Sequence, residues 1–224
     1  MYPHPMTVNA VVFDLDETLA VTTRDRGTLI AEATAVAGGD PIEYATYQDT
    51  HHETVTSETR APIFAAVIDD ETVDPGAVAD TYRQAVNDAL VPVEGATDLL
   101  AHLTNGAGYR VGVLTDGPVR AQRSKLDKLG WEEYLDASVV TGALETRKPD
   151  PIAFEAILDD LGVGPSEAVY VGDKPEVDVA GAKDAGMAAV QVLYPGGPEL
   201  HPRADAAIDR DKLRTDLLDV LEEL

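Results

Sequence analysis

Apolar residues in this chain fall into two patterns. One consists of short, mainly apolar runs: Val8–Phe13, Tyr109–Leu114, Ala137–Val140, Ala168–Val171 and Ala188–Leu193, with Ala206-Ala207-Ile208 as a shorter sixth. Runs of this length read as strands buried on both faces. Between them lie stretches with helical spacing: about Pro118 to Leu129, Pro151 to Leu161 and about Glu176 to Ala185, each followed by a glycine, and Asp211 to Leu224 closing the chain. A glycine just past the last periodic residue is a helix stop, because it accepts the left-handed conformation that ends the last turn. Alternating strands and helices, with strands apolar throughout, predict an α/β fold built on a doubly wound, Rossmann-like parallel sheet.

The second pattern occupies the chain after the first run. From about Thr22 to Leu90 apolar residues recur at helical spacing, for example Val78, Tyr82, Ala85, Val86 and Ala89. Pro41, Pro62 and Pro75 fall where helices should begin or break, with Asp40 and Asp74 as expected N-caps. This segment predicts three to four short helices, closed by a hinge from Pro92 to Gly95. The expected division is a core of residues 1–20 plus 92–224 and a small helical unit, 21–91, inserted after the first strand. There is no repeat and no low-complexity tract.

Charge adds a second constraint. The net charge is −24 over 224 residues, and only six of the 17 basic residues are lysine. Acidic residues recur from Asp14 to Glu223 and do not form a tail. A charge of this size repels itself unless salt screens it. The expectation is a cytoplasmic protein of a salt-rich cell, against the plainer reading of an acidic mesophilic one. Binding to a nucleic-acid backbone needs a basic face and is disfavoured. No apolar run is long enough to span a bilayer, and Met1–Met6 lack the basic start and apolar stretch of a signal peptide. Cysteine is absent, which excludes disulfides and thiolate metal sites.

Candidate chemistry follows the strands. In open parallel sheets, ligands bind outside the carboxyl ends of the strands. After the first run come Asp14, Asp16 and Thr18; after the second, Thr115, Asp116 and Gly117. Beyond the third lies Arg147-Lys148-Pro149-Asp150, and after the fourth Gly172-Asp173-Lys174-Pro175-Glu176-Val177-Asp178. The topology therefore brings distant groups to one edge of the sheet. Two carboxylates at i and i+2 can point the same way at a strand end, where a hard cation such as Mg²⁺ would relieve their repulsion. Taken singly, each group has a plainer reading. Asp14 and Asp16 could shape a turn, Thr115 could bond locally, Lys148 could be solvated, and Asp178 could complement a helix dipole.

Taken together and in order, the stretches Asp14-x-Asp16-x-Thr18, Thr115, Lys148-Pro149 and Gly172-Asp173-x-x-x-x-Asp178 resemble the four motifs of the haloacid dehalogenase superfamily. The resemblance covers nearly the whole chain, and the helical insert is similar to that family's C1-type cap. It implies a Mg²⁺-dependent phosphatase that hydrolyses a small phosphorylated metabolite through an aspartyl-phosphate. By position, it implies Asp14 as nucleophile and Asp16 as general acid and then base. It places Mg²⁺ on the Asp14 side chain, the Asp16 backbone carbonyl and Asp173, with Asp178 in support. Thr115 and Lys148 would hold phosphoryl oxygens, helped by backbone N–H groups near Leu15 and Asp116.

Two departures stand out: Lys174 follows Asp173, where relatives often carry a small polar residue or a carboxylate, and Asp116-Gly117 replaces a frequent Asn-Gly. A 2-haloacid dehalogenase, which lacks an acid at the position of Asp16, a phosphomutase and a non-catalytic binding protein are the alternatives. His51-His52 reads as structural or solvent-exposed, and Trp131 and Tyr134 as packing residues. A monomer or homodimer is expected.

Overall fold

The computed structural model describes residues 8–54 and 57–224, apart from the side chains of residues 52 and 53. Its centre is a six-stranded parallel sheet. The strands are β1 (Ala10–Phe13), β4 (Arg110–Thr115), β5 (Ala137–Val140), β6 (Ala168–Gly172), β7 (Ala188–Leu193) and β8 (Ala206–Asp209), in the spatial order β5-β4-β1-β6-β7-β8. Every pairing in it is parallel. All four residues of β1 are fully buried, as a central strand covered on both faces requires.

Alternation along the strands divides the core in two. Val11, Phe13, Val111, Val113, Val169 and Val171 face one layer, with α5 (Ala96–His102) and α9 (Leu213–Glu223) supplying Leu99, Leu100, Leu213 and Leu217. Ala10, Val12, Leu114 and Tyr170 face the other, against Phe154, Ile157 and Leu161 of α7 (Pro151–Leu161) and Ala182 of α8 (Gly181–Asp184). Trp131 is fully buried in the first layer, and its indole N–H donates to Thr97 Oγ1 at 3.0 Å. Tyr134 packs against the same layer, partly buried.

Among the described residues the insert holds four helices: α1 (Arg26–Val36), α2 (Tyr44–Glu53), α3 (Ala61–Val67) and α4 (Pro75–Ala89). They enclose a hydrophobic cluster of their own that includes Leu29, Ile30, Tyr47, Phe64, Val78 and Tyr82. Asp74 caps α4 by accepting the Gly76 N–H at 2.9 Å, and Pro75 follows it at the first helical position. Asp40, in contrast, caps nothing. The second helix starts only at Tyr44, with Glu43 at its N-cap and no side-chain bond there. Three intervening residues separate Asp40 from that start, too far for its short side chain to reach the first free N–H groups. His51 stacks on Tyr47, with ring centroids 5.9 Å apart, while the His52 side chain lies outside the described residues.

Two elements escaped the hydrophobic pattern. The ends of the insert pair as a two-stranded antiparallel sheet, β2 (Ala20–Thr22) with β3 (Leu90–Pro92). Strands of three residues are too short to show a period. The helix expected from Glu176 instead begins as a widened turn, Pro175–Ala180, in which the Val179 N–H reaches back to Lys174 O at 3.2 Å. Only Gly181–Asp184 is regular α-helix. The expected glycine stops at Gly130, Gly162 and Gly186 all have positive φ. One of them follows α6 (Val119–Leu129).

Candidate active site

Parallel register places the chemistry. Phe13 lies opposite both Val113 and Val171, so β1, β4 and β6 run out together. The Asp14 N–H then donates to Val171 O at 2.9 Å, fixing the loop beside the end of β6. Beyond these ends lie Asp14, Thr115, Lys148, Asp173 and Asp178, each at most 2 % exposed.

Lys148 is the hub. Its Nζ donates to Asp14 Oδ1 at 3.0 Å, to Asp178 Oδ1 at 2.7 Å and to the Tyr170 hydroxyl at 2.8 Å. A buried ammonium is costly, but the two carboxylates outweigh that cost and hold it well above its ordinary pKa. Asp14 is raised by burial, against the pull of Lys148. Asp178 moves the other way: burial opposes its charge, yet Lys148 and Lys174 together lower it. Both of its oxygens are engaged, Oδ1 by Lys148 and Oδ2 by the Lys174 N–H at 3.0 Å. Such an approach needs Gly172, because a Cβ there would meet the Asp178 carboxyl at 2.6 Å.

A divalent cation suits what remains. Carboxylate oxygens of Asp14, Asp173 and Asp178 lie within 4.8 Å of one another. Asp14 Oδ2 and Asp173 Oδ1 are buried without a hydrogen-bond partner, which a native interior rarely tolerates. Burial beside Asp14 and Asp178 pushes Asp173 up to about 7, while its second oxygen accepts the Tyr194 hydroxyl at 3.0 Å. Two orphaned carboxylate oxygens in an all-oxygen cluster fit a hard cation.

Asp16 stands apart from that cluster. Its side chain is 22 % exposed and turns to the other side of the loop. It accepts Lys125 Nζ at 2.7 and 2.5 Å, Arg26 Nη2 at 2.9 Å and Gln122 Nε2 at 3.0 Å. Burial would raise its pKa, but Lys125 and Arg26 outweigh burial and hold it well below the usual range. The adjacent Glu17 takes a φ of 64°, and Arg210 holds its carboxylate at 2.8 Å. Thr115 Oγ1 accepts Gln122 Nε2 at 2.6 Å, so one amide touches both Thr115 and Asp16.

Asp116 takes a bracing position. Its Oδ1 accepts the Thr141 hydroxyl at 2.9 Å and the Lys148 N–H at 3.2 Å. The structure thus gathers Asp14, Lys148, Asp173 and Asp178 into one cluster and sets Asp16 and Thr115 beside it. Asp116 reaches the cluster through the Lys148 backbone. Lys174 lends charge from the rim, opposing the rise at Asp14 and helping Lys148 to lower Asp178.

Sequence reasoning missed Tyr170, Tyr194, Arg26, Gln122 and Lys125. The last two had a visible signal. Ala121, Gln122, Lys125 and Leu126 form the buried face of α6, so two polar residues occupy positions that the helical period assigns to the core. Tyr170 hides in an apolar strand, and nothing in the sequence around Arg26 announces it.

Residues 8–186 match the haloacid dehalogenase-like hydrolase family. The chain belongs to that family. Among relatives of this hydrolase, an N-acetylmuramic acid 6-phosphate phosphatase of Pseudomonas aeruginosa is 29% identical over 96% of each chain. A glyceraldehyde 3-phosphate phosphatase of Methanopyrus kandleri is 29% identical over 97% of this chain and 98% of its own. The crystal structure of a phosphatase of the same family from Thermococcus onnurineus superposes with a TM-score of 0.71 at 25% identity, covering 94% of this chain and 98% of that one.

Proposed function

We propose that this hydrolase is a Mg²⁺-dependent phosphatase for a small phosphorylated metabolite. The observation that carries the reading is the pair of partnerless buried oxygens on Asp14 and Asp173, set against Lys148. Asp14 and Asp173 would hold the cation together with the Asp16 backbone carbonyl. When bound, it supplies positive charge that lets an anionic nucleophile meet an anionic ester.

The chain's own residues supply the remaining parts. The Asp14 carboxylate attacks phosphorus and forms an aspartyl-phosphate, which water then cleaves. Lys148 and the Thr115 hydroxyl hold phosphoryl oxygens, with N–H groups near Leu15 and Asp116. Asp178, with both oxygens committed, positions Lys148 and the loop at Lys174. Asp16 gives a proton to the leaving oxygen and takes one from the attacking water. The hydrogen bonds that hold its pKa down keep it anionic at rest, so it must be released from at least one cation and take up a proton from solvent before it can serve as an acid.

Residues 21–91 act as the lid. Support comes from the loop after α2, where the Ser57 and Glu58 carbonyls accept the Val119 and Arg120 N–H groups at 2.8 and 3.1 Å. That contact also explains Gly142, whose added Cβ would lie 2.5 Å from both Ser57 O and Gly117 O. A roofed site excludes water and favours small substrates over phosphoproteins.

The test is direct. In molar salt with Mg²⁺, the purified protein should release inorganic phosphate continuously from p-nitrophenyl phosphate, and EDTA should stop it. Activity untouched by EDTA would exclude the metal. Phosphoryl return to an acceptor without sustained phosphate release would instead identify a mutase.

A further inference from the structure

We propose that Tyr194 and Arg210 form an outer clamp that positions two of the cation's expected ligands, the Asp173 carboxylate and the Asp16 backbone carbonyl. The inference rests on the phosphatase reading above and adds positioning residues to it. Both residues lie beyond residue 186, where the family match ends.

The sheet brings the pair together. Leu193 of β7 lies opposite Asp209 of β8, so the next residues, Tyr194 and Arg210, leave the two strands side by side. The Arg210 guanidinium carbon stands 3.9 Å from the centre of the Tyr194 ring, a close cation–π contact. The same ring lies against Gly197, where an added Cβ would meet it at 2.7 Å. Gln191, fully buried on β7, pins the loop that follows: its amide N–H groups reach Asp173 O at 3.4 Å and Glu199 O at 3.0 Å, and its oxygen accepts the His201 N–H at 2.7 Å. The tyrosine ring is therefore held in place from its own loop and from Arg210.

Each end of the clamp meets a ligand. The Tyr194 hydroxyl donates to Asp173 Oδ2 at 3.0 Å and leaves Oδ1 buried and partnerless in the cluster with Asp14. A carboxylate bonded through one oxygen has its plane fixed, so the other oxygen is presented to a cation ready oriented. At the far end, Arg210 Nη1 donates to Glu17 Oε2 at 2.8 Å and to Glu17 O at 3.4 Å. Glu17 holds a φ of 64°, which a non-glycine residue rarely adopts. That angle sets the plane of the Asp16–Glu17 peptide, and with it the direction of the Asp16 carbonyl. The N–H of the same peptide donates to Ala20 O at 2.9 Å. A partly exposed ion pair adds little stability by itself; what it supplies here is orientation.

Mg²⁺ binding by the full chain tests this. In molar KCl, which screens non-specific attraction to a protein of charge −24, calorimetry should show a Mg²⁺ site in the wild type that Asp173→Asn abolishes. Tyr194→Phe removes only the hydroxyl. It should weaken that site by about 10-fold or more, with the melting temperature of the metal-free protein unchanged. Arg210→Met should weaken it comparably, and Arg210→Lys, which keeps a cation for both Glu17 and the ring, should restore part of the loss. Because one clamp serves both ligands, the double variant should lose less than the product of the two single losses. Saturating Mg²⁺ should return the rate of Tyr194→Phe towards that of the wild type. Unchanged Mg²⁺ affinity in Tyr194→Phe, or a loss matched by a lower metal-free melting temperature, overturns the proposal. If the wild type binds no Mg²⁺ and its hydrolysis ignores EDTA, it is the metal-dependent reading that fails, and this inference falls with it.

Discussion

Lys148 sits where two buried carboxylates and a tyrosine hydroxyl converge, and its removal would leave Asp14 and Asp178 facing each other uncompensated. Breaking a buried ion pair from one side typically costs about 3 kcal/mol or more. Lys148→Met, which keeps most of the volume, should therefore lower stability to urea by about that amount. Because a cation entering the cluster would replace the lost charge, Mg²⁺ should raise the melting temperature of this variant more than that of the wild type. Equal shifts in the two proteins would argue against a metal beside Asp14. Asp14→Asn removes the proposed nucleophile while keeping shape, and should cut kcat to below about 10⁻³ of wild type with the circular dichroism spectrum unchanged. Full activity in that variant would exclude Asp14 from covalent chemistry.

Elements differ in how much of their position the local sequence specifies. The N-cap Asp150 accepts the Ile152 N–H at 3.0 Å ahead of Pro151, an arrangement readable directly from Asp-Pro before an apolar period. Asp150→Ala should cost about 1 kcal/mol in chemical denaturation, with little effect on kcat. Gly172 is the opposite case. Nothing in its neighbours tells that Asp178 folds back to 2.6 Å from where its Cβ would be. Gly172→Ala should both destabilise the protein, by about 1–3 kcal/mol, and impair turnover, since the widened turn that carries Asp178 would have to shift. Ordinary activity in that variant would show that the close approach is dispensable. The parallel strands were legible because burial on both faces makes them continuously apolar. The pairing of Ala20–Thr22 with Leu90–Pro92 was not, because it joins two short segments far apart in sequence.

At the scale of the molecule, the net charge of −24 governs behaviour. Raising salt from about 0.1 M to 1 M shortens the screening length from about 10 Å to about 3 Å, so surface self-repulsion should fade. The melting temperature should then rise steadily between low salt and molar KCl, and a flat or falling curve would reject adaptation to a salt-rich cytoplasm. Relief of repulsion should also help an anionic substrate approach, lowering KM over the same range. Among the described residues no helix is long and apolar enough to cross a membrane.

Local pattern alone determined the alternation of strands and helices, the glycine stops and the edge of the sheet at which Asp14, Thr115, Lys148 and Asp173 appear. These are short-range matters of burial, period and backbone freedom, written residue by residue. Only the tertiary structure decided how the charges are shared. It tied Asp178 and Tyr170 to Lys148, turned Asp16 away to Lys125 and Arg26, left one oxygen each on Asp14 and Asp173 without a partner, and set Arg60 against Tyr82 within the insert. Electrostatic partnership depends on distance and burial between segments remote in the chain, and a pattern of neighbouring residues carries no record of either.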